Sequence, residues 1–308
     1  MLLISDMVVC VKPLSIAVAL VSFGVAVSAC ADNTSNDSDG TLTVAVAFYP
    51  IEELVRRVGG ADVAISTLVA PGNEPHEFEP TSRQVTRLEN ADVVFYFGSD
   101  FQPSLQNAID GLPDSVHRVD LLQQGLTLHE IGGSVDPHVW LDPRNMALLA
   151  MGVAVVLGDE IPERADTFTR NANEYFDELT ALHHEFATGL AQCAVPVLIT
   201  THEALGYFAR AYGLTQIAIA GISPGDEPSA KALQAIAEVA KANGVTTVFF
   251  EENLPADLAV TVADEIGAGT SSLDTAESLT QSQIDDGETY LTVMRSNLQA
   301  LRAGMGCA

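Results

Sequence analysis

The stretch ERADTFTRNANEYFDELTALHHEFATGLA, residues 163–191, decides how the rest of the chain is organised. It follows Pro162, a residue type favoured where a helix begins. Its apolar residues recur at steps of three and four, which places them on one face of a helix. These residues are Phe168, Ala172, Tyr175, Leu179, Leu182, Phe186 and Leu190. At about 1.5 Å per residue, the helix would be on the order of 40 Å long. We therefore predict one long, rigid helix that links two halves of the chain.

Short runs rich in β-branched and aromatic residues alternate with helical segments on both sides of this helix. The predicted strands span residues 42–47, 63–68, 93–97, 195–199, 216–220 and 245–250. The clearest helical segments between them span residues 51–58, 82–90 and 229–242. Such alternation is typical of parallel sheets. We expect an α/β fold with two lobes, residues 41–162 and 192–308, each a parallel sheet flanked by helices.

The N-terminus has the order of a signal peptide. An apolar run over residues 13–27 follows Lys12, and small residues come after it. The run is shorter than the roughly 20 residues that a membrane-spanning helix needs. A start at Met1 or at Met7 would leave this order intact. We expect residues 1–29 to be a signal peptide that directs export.

Cys30 ends the segment VSAC, which resembles the lipobox of bacterial lipoproteins. In that motif the cysteine is lipidated and becomes the first residue of the mature protein. Residues 31–40, ADNTSNDSDG, contain no large apolar side chain and cannot bury enough surface to order themselves. We therefore expect an extracytoplasmic protein that is anchored to the membrane by lipid at Cys30 and a flexible tether.

The body of the chain beyond Cys30 contains two further cysteines, Cys193 and Cys307. An even number of cysteines in an exported protein favours a disulfide, because the compartment is oxidising. We predict a disulfide between Cys193 and Cys307, which would tie the C-terminus to the start of the second lobe.

The charge balance excludes one class of partner. The chain has 14 Lys and Arg against 41 Asp and Glu, a formal net charge of −27 at pH 7. No basic cluster is present that could neutralise a row of phosphates, so nucleic-acid binding is excluded. A negatively charged surface attracts cations instead, and physiological salt screens this attraction beyond roughly 8 Å.

Three histidines lie in loops rich in turn residues. His76 lies in PGNEPHEFEP, His138 in DPHVWLDP and His202 in THEALGYF. His76 and His202 follow predicted strands, and prolines stiffen the loops around His76 and His138. A rigid loop suits a metal ligand, because its conformational entropy is already lost before the ion binds. We expect the site to lie between the lobes, near the carboxyl ends of the strands.

The segments PHEFEP, DPHVWLDP and THEALGYFA resemble, in this order, three signatures of the zinc and manganese substrate-binding lipoproteins of ABC importers. The similarity continues through GISPGDEPS (residues 221–229) and VFFEE (residues 248–252) to the C-terminus. The resemblance implies two α/β lobes that are joined by one long helix, in agreement with the pattern of the residues.

The resemblance also implies a metal site formed by His76, His138, His202 and a carboxylate at the position of Asp274, with Glu251 or Glu252 as the alternative fourth ligand. Three imidazoles and one carboxylate suit tetrahedral Zn²⁺. Manganese or iron is the alternative cargo, although manganese prefers more oxygen ligands. The implied function is to capture Zn²⁺ outside the membrane as a monomer and deliver it to a permease with a cytoplasmic ATPase.

Two other functions compete with this interpretation. A zinc hydrolase would be consistent with three histidines and an open fourth position, but His202-Glu203 does not continue to H-E-x-x-H, because Gly206 stands where the second histidine would be. We therefore expect no enzymatic activity. A surface adhesion protein is the second alternative, and it would bind its partner even after metal removal.

Overall fold

The computed structural model describes residues 41–251 and 254–308. The predicted signal peptide, Cys30 and the tether lie outside the described residues, as does Glu252. The first lobe is built on strands β1 (Leu42–Val46), β2 (Val63–Thr67), β3 (Val93–Tyr96) and β4 (His117–Asp120), and its helices are α1 (Tyr49–Gly59), α2 (Ser82–Glu89) and α3 (Pro103–Asp110). The strand order is β2-β1-β3-β4, and all neighbouring strands are parallel.

Two long helices follow the first sheet. A small antiparallel hairpin of β5 (Glu130–Ile131) and β6 (Ser134–Val135) precedes α4 (Pro143–Glu160) and α5 (Ala165–Gly189). The helix predicted over residues 163–191 is therefore present, but a 3₁₀ turn over Pro162–Arg164 delays its start. Its buried side chains are the predicted ones, Phe168, Ala172, Tyr175, Leu179, Leu182 and Phe186.

The second lobe repeats the architecture of the first. Its strands are β7 (Val197–Thr200), β8 (Thr215–Ala218), β9 (Thr247–Glu251) and β10 (Gly269–Leu273), and its helices are α6 (Gly206–Tyr212), α7 (Ala230–Ala242), α8 (Asp257–Ile266), α9 (Gln281–Asp285) and α10 (Tyr290–Met305). The strand order is β10-β9-β7-β8, again with parallel neighbours. The predicted α/β fold with two parallel sheets and a long helix is confirmed.

One hydrophobic core extends from the first sheet through α4 and α5 to α10. Trp140, Tyr175 and Tyr290 are its largest fully buried side chains. A second, smaller core packs around β7, β9 and α8 in the second lobe, with Ile199, Val248 and Val262 among its members. The larger core includes residues of both lobes, so α5 and α10 join the two sheets through packed side chains.

Cys193 and Cys307 form the predicted disulfide, across 114 residues of sequence. The backbones beside it are also paired, because Ala194 N donates to Gly306 O and Ala308 N donates to Gln192 O. The end of α10 is thereby attached to the chain that leaves α5. Within the described ranges, no helix combines the length and apolar character needed to cross a bilayer.

Candidate metal centre

The three motif histidines lie in loops, and two of them follow strands of the parallel sheets. His76 lies between β2 and α2, His138 lies between β6 and α4, and His202 follows β7 directly. Glu277 joins them from the loop between β10 and α9. All four side chains are buried, with residue exposures of 7% for His76, 0% for His138, 1% for His202 and 6% for Glu277. The fold thus collects four potential ligands from four separate segments.

The side chains converge on one small volume. Nε2 of His138 is 3.3 Å from Nε2 of His76 and 3.3 Å from Nε2 of His202. Oε1 of Glu277 is 3.6 Å from each of the three Nε2 atoms. That oxygen has no hydrogen-bond partner among the described residues, although it is buried. Four potential ligand atoms therefore face one another across one small volume.

These distances fit a tetrahedral ion. An edge of a regular tetrahedron is about 1.63 times its centre-to-vertex distance. Edges of 3.3 and 3.6 Å, as in the five distances above, would place a central ion about 2.0 to 2.2 Å from each atom, the range of Zn–N and Zn–O bonds. Three imidazole nitrogens and one carboxylate oxygen are a ligand set that Zn²⁺ accepts. The residues present therefore fit zinc in both chemistry and spacing.

Carboxylates behind the cluster orient two of the imidazoles. Oδ1 of Asp136 lies 2.8 Å from Nδ1 of His138 and also accepts a hydrogen bond from the backbone N–H of His138. Oε1 of Glu251 accepts hydrogen bonds from Nδ1 of His202 and from Oγ1 of Thr201. An Nδ1–H that is donated to a carboxylate leaves Nε2 as the ligand nitrogen of the neutral imidazole, and Nε2 is the atom that faces the cluster.

Burial and charge act differently on the cluster residues. Burial lowers the pKa of His138 below its usual value, despite its hydrogen bond to Asp136, so this imidazole is neutral near pH 7. Burial also acts to lower the pKa of His202, but the hydrogen bond to Glu251 and the nearby carboxylate of Glu277 outweigh it and raise that pKa to about 10. Burial acts to raise the pKa of Glu277, yet His202 and His76 hold it below its usual value. Glu277 is therefore a carboxylate at neutral pH.

Trp140 fixes the segment that carries Glu277. Its Nε1 donates to the carbonyl of Thr275 at 2.8 Å, and its own carbonyl accepts from the hydroxyl of Tyr290 at 2.6 Å. The indole ring also packs against the His138 ring, with centroids 5.1 Å apart. A buried side chain of the first lobe thus positions both His138 and the loop of the second lobe.

The arrangement of the sheets, the long helix and the four side chains can be compared with known proteins. A family model described as "Zinc-uptake complex component A periplasmic" matches residues 44–304. The chain belongs to this family of zinc-uptake proteins. It is 34% identical to the zinc-binding lipoprotein AdcA of Streptococcus pneumoniae, in an alignment that covers 88% of this chain and 57% of AdcA. The chain thus spans little more than half the length of that relative.

Two further comparisons cover nearly the whole length of the matched protein. The chain is 31% identical to the high-affinity zinc uptake system protein ZnuA of Bacillus subtilis, over 90% of this chain and 92% of that protein. The crystal structure of the Zn(II)-bound ZnuA-like domain of AdcA from Streptococcus pneumoniae superposes with a TM-score of 0.76 and 35% identity, over 86% of this chain and 99% of that domain. The resemblance seen in the motifs is confirmed at the level of the family.

In this member of the zinc-uptake family, the fourth side chain differs from the sequence prediction. Asp274 does not belong to the cluster. Its Oδ1 accepts from the backbone N–H of Ala276 at 2.7 Å, and its Oδ2 accepts from Nε2 of Gln283 at 2.8 Å. Glu251, one of the alternatives, lies behind His202 instead of facing the other imidazoles. The sequence did not identify Glu277 as a ligand. The only indication of it was that a carboxylate had been predicted in the same loop.

Proposed function

We propose that this chain binds one Zn²⁺ through His76, His138, His202 and Glu277 and acts as the substrate-binding receptor of a zinc importer. The observation that carries the proposal is the convergence of three Nε2 atoms and one carboxylate oxygen at distances of 3.3 and 3.6 Å. With Glu277 as fourth ligand, the ion has no open position for a hydrolytic water, which argues against a zinc hydrolase.

The names of the relatives support zinc as the cargo. AdcA is named a zinc-binding lipoprotein, and its ZnuA-like domain was crystallised with Zn(II). The ligand chemistry points the same way, because manganese prefers sites with more oxygen ligands than the single carboxylate here. We expect Zn²⁺ to displace Mn²⁺ from the site when both ions are offered at equal concentration.

The setting of the receptor follows from the N-terminal sequence. We propose that residues 1–29 direct export, that lipid on Cys30 anchors the mature chain outside the cytoplasmic membrane, and that residues 31–40 tether it. The partners would be a membrane permease and its cytoplasmic ATPase, which would receive Zn²⁺ from a monomeric receptor. The lobes would move little on binding, because α5 and the shared core join them.

Zinc titration of the signal-free protein tests the proposal. We expect one Zn²⁺ per chain, measured by elemental analysis and by competition with a chromogenic chelator. His76→Ala and Glu277→Gln remove one ligand each and should weaken affinity by more than about 100-fold, because even the loss of an outer hydrogen-bond partner costs about 10- to 100-fold. Asp274→Asn tests the alternative carboxylate of the same loop, and Asp177→Asn on the exposed face of α5 is the control.

The variants and the unsubstituted protein test different parts of the proposal. Full binding by Glu277→Gln together with loss of binding by Asp274→Asn would move the fourth ligand to Asp274. Absence of tight zinc binding in the unsubstituted protein would overturn zinc as the cargo.

A further inference from the structure

A cavity of about 580 Å³ lies beside the metal cluster, and His76 forms part of its wall. Phe101 comes from the segment before α3, Ser134 from the β5–β6 hairpin, and Ser223 and Asp226 from the segment between β8 and α7. The cavity is therefore lined by both lobes. A second cavity, formed by described residues beside Glu277, measures about 20 Å³ and has room for little more than one water molecule.

His76 differs from the other two imidazoles in a way that matches this position. Nδ1 of His138 and Nδ1 of His202 are each paired with a carboxylate, whereas Nδ1 of His76 has no hydrogen-bond partner among the described residues. The His76 side chain is 5% exposed, while those of His138 and His202 are fully buried. His76 is thus the imidazole that an ion arriving from the cavity would meet first.

Two carboxylates line the same cavity. Asp100 belongs to the first lobe and Asp226 to the second, and both are exposed. Neither forms an ion pair with a described residue, and no Lys or Arg lines the cavity. The negative charge at this position is therefore not neutralised locally.

We propose that this cavity is the entry route for the metal and that Asp100 and Asp226 hold the hydrated cation before His76 coordinates it. This inference rests on the proposed function, since it assumes that the cluster binds a divalent cation. A hydrated cation is attracted by carboxylates through its water shell, and a cleft lined by one sign of charge raises association rates by 10- to 10³-fold. The carboxylates act on the rate of capture, because neither belongs to the final ligand set.

Stopped-flow measurement of zinc binding tests the route. Trp140 is the single tryptophan of the sequence and packs against His138, so its fluorescence reports occupation of the site. We expect Asp100→Asn/Asp226→Asn to lower the association rate constant about 10-fold at low ionic strength, with an unchanged dissociation rate constant. The difference from the unsubstituted protein should shrink as salt is added. Asp177→Asn/Asp264→Asn removes the same charge from exposed helix positions outside the cavity and should leave both rate constants unchanged.

A second variant tests the route by narrowing the cavity. Ser223→Phe would fill part of the cavity and should slow association and dissociation by the same factor, without changing the equilibrium affinity. An unchanged association rate in Asp100→Asn/Asp226→Asn, or an equal loss in the control pair, would overturn the inference while the site itself still bound zinc. Failure of the unsubstituted protein to bind zinc at equilibrium would instead overturn the proposed function.

Discussion

His202 is the residue through which pH acts most strongly on the site. Its raised pKa of about 10 means that the imidazole is protonated in the metal-free protein at neutral pH. The raised pKa stabilises the metal-free fold. This stabilisation is complete below about pH 6.5, and it is lost as the pH rises toward the pKa of about 10. Zinc needs the neutral imidazole, so binding must expel this proton.

We therefore predict that zinc binding releases about one proton per ion at pH 7.5 and that affinity rises with pH from 5.5 to above 7.5. Calorimetric titrations in buffers of different ionisation enthalpy measure the released protons directly. His202→Ala lacks the group that must lose the proton, so the zinc that this weakened variant binds at high zinc concentration should release no proton from this position. An affinity that stays constant from pH 5.5 to 7.5 would contradict a site made of three histidines.

The carboxylates behind the imidazoles are expected to act through orientation. Asp136→Asn and Glu251→Gln keep the size of each side chain but replace a charged acceptor by an amide. We predict that each weakens zinc binding about 10- to 100-fold, with one ion still bound per chain. Competition with a chelator measures the loss, and Asp177→Asn on the exposed face of α5 should have no effect. Affinities equal to that of the unsubstituted protein would mean that packing alone orients His138 and His202.

Sequence motifs predicted the three histidines, but they did not decide which carboxylate completes the cluster. The loop after β10 offers both Asp274 and Glu277. Asp274 accepts a hydrogen bond from the N–H of Ala276, whose φ of 53° turns the chain back, and this turn places Glu277 toward the imidazoles. A left-handed turn at alanine is rare, so spacing along the sequence gave no indication of it.

The start of α6 supports the site through a close contact. Gly206 is the first residue of α6, and a Cβ at this position would lie 2.8 Å from Oδ2 of Asp136. The next residue, Tyr207, donates from its hydroxyl to the carbonyl of Asp136 and accepts from the N–H of His129. A helix of the second lobe therefore holds the backbone of Asp136, the residue whose carboxylate orients His138 of the first lobe.

We predict that Gly206→Ala displaces the carboxylate of Asp136 and weakens zinc binding, while the protein still folds. Gly152→Ala in α4 is the matched control, because its Cβ would lie at an ordinary distance of 3.6 Å from Gln124. Far-UV circular dichroism checks the fold, and a chelator competition measures affinity. Equal affinities for the two variants would show that Asp136 tolerates the extra methyl group.

Strand prediction succeeded where the sequence is rich in apolar residues, including the edge strands β2 and β8, and it failed at the other two sheet edges. The central strands β1, β3, β7 and β9 are buried and were all predicted, as was α5. Strands β4 and β10 were not predicted. Each lies at one edge of its sheet. Their sequences, HRVD and GTSSL, are mostly polar, and only Val119 and Leu273 are buried. An edge strand needs less apolar surface, so its sequence resembles a loop.

The disulfide acts on the molecule as a whole, because it closes a loop of more than 100 residues around the second lobe. We predict that Cys193→Ser/Cys307→Ser lowers the free energy of unfolding by about 2 to 5 kcal/mol. Zinc stoichiometry should stay at one, since neither cysteine belongs to the cluster. Denaturant unfolding of oxidised and reduced protein measures the difference. Two free thiols in the oxidised mature protein would contradict the pairing itself.

Zinc is expected to couple the unfolding of the two lobes. His76 and His138 come from the first lobe, while His202 and Glu277 come from the second, so the ion is lost if either lobe unfolds. A ligand that binds only the folded state stabilises it by about 2.7 kcal/mol at 100 times its dissociation constant. We therefore predict that zinc raises the midpoint of one cooperative thermal transition, measured by calorimetry with zinc and with a chelator. His202→Ala should abolish the shift. Two separate transitions, of which zinc moves only one, would mean that the ion is held by a single lobe.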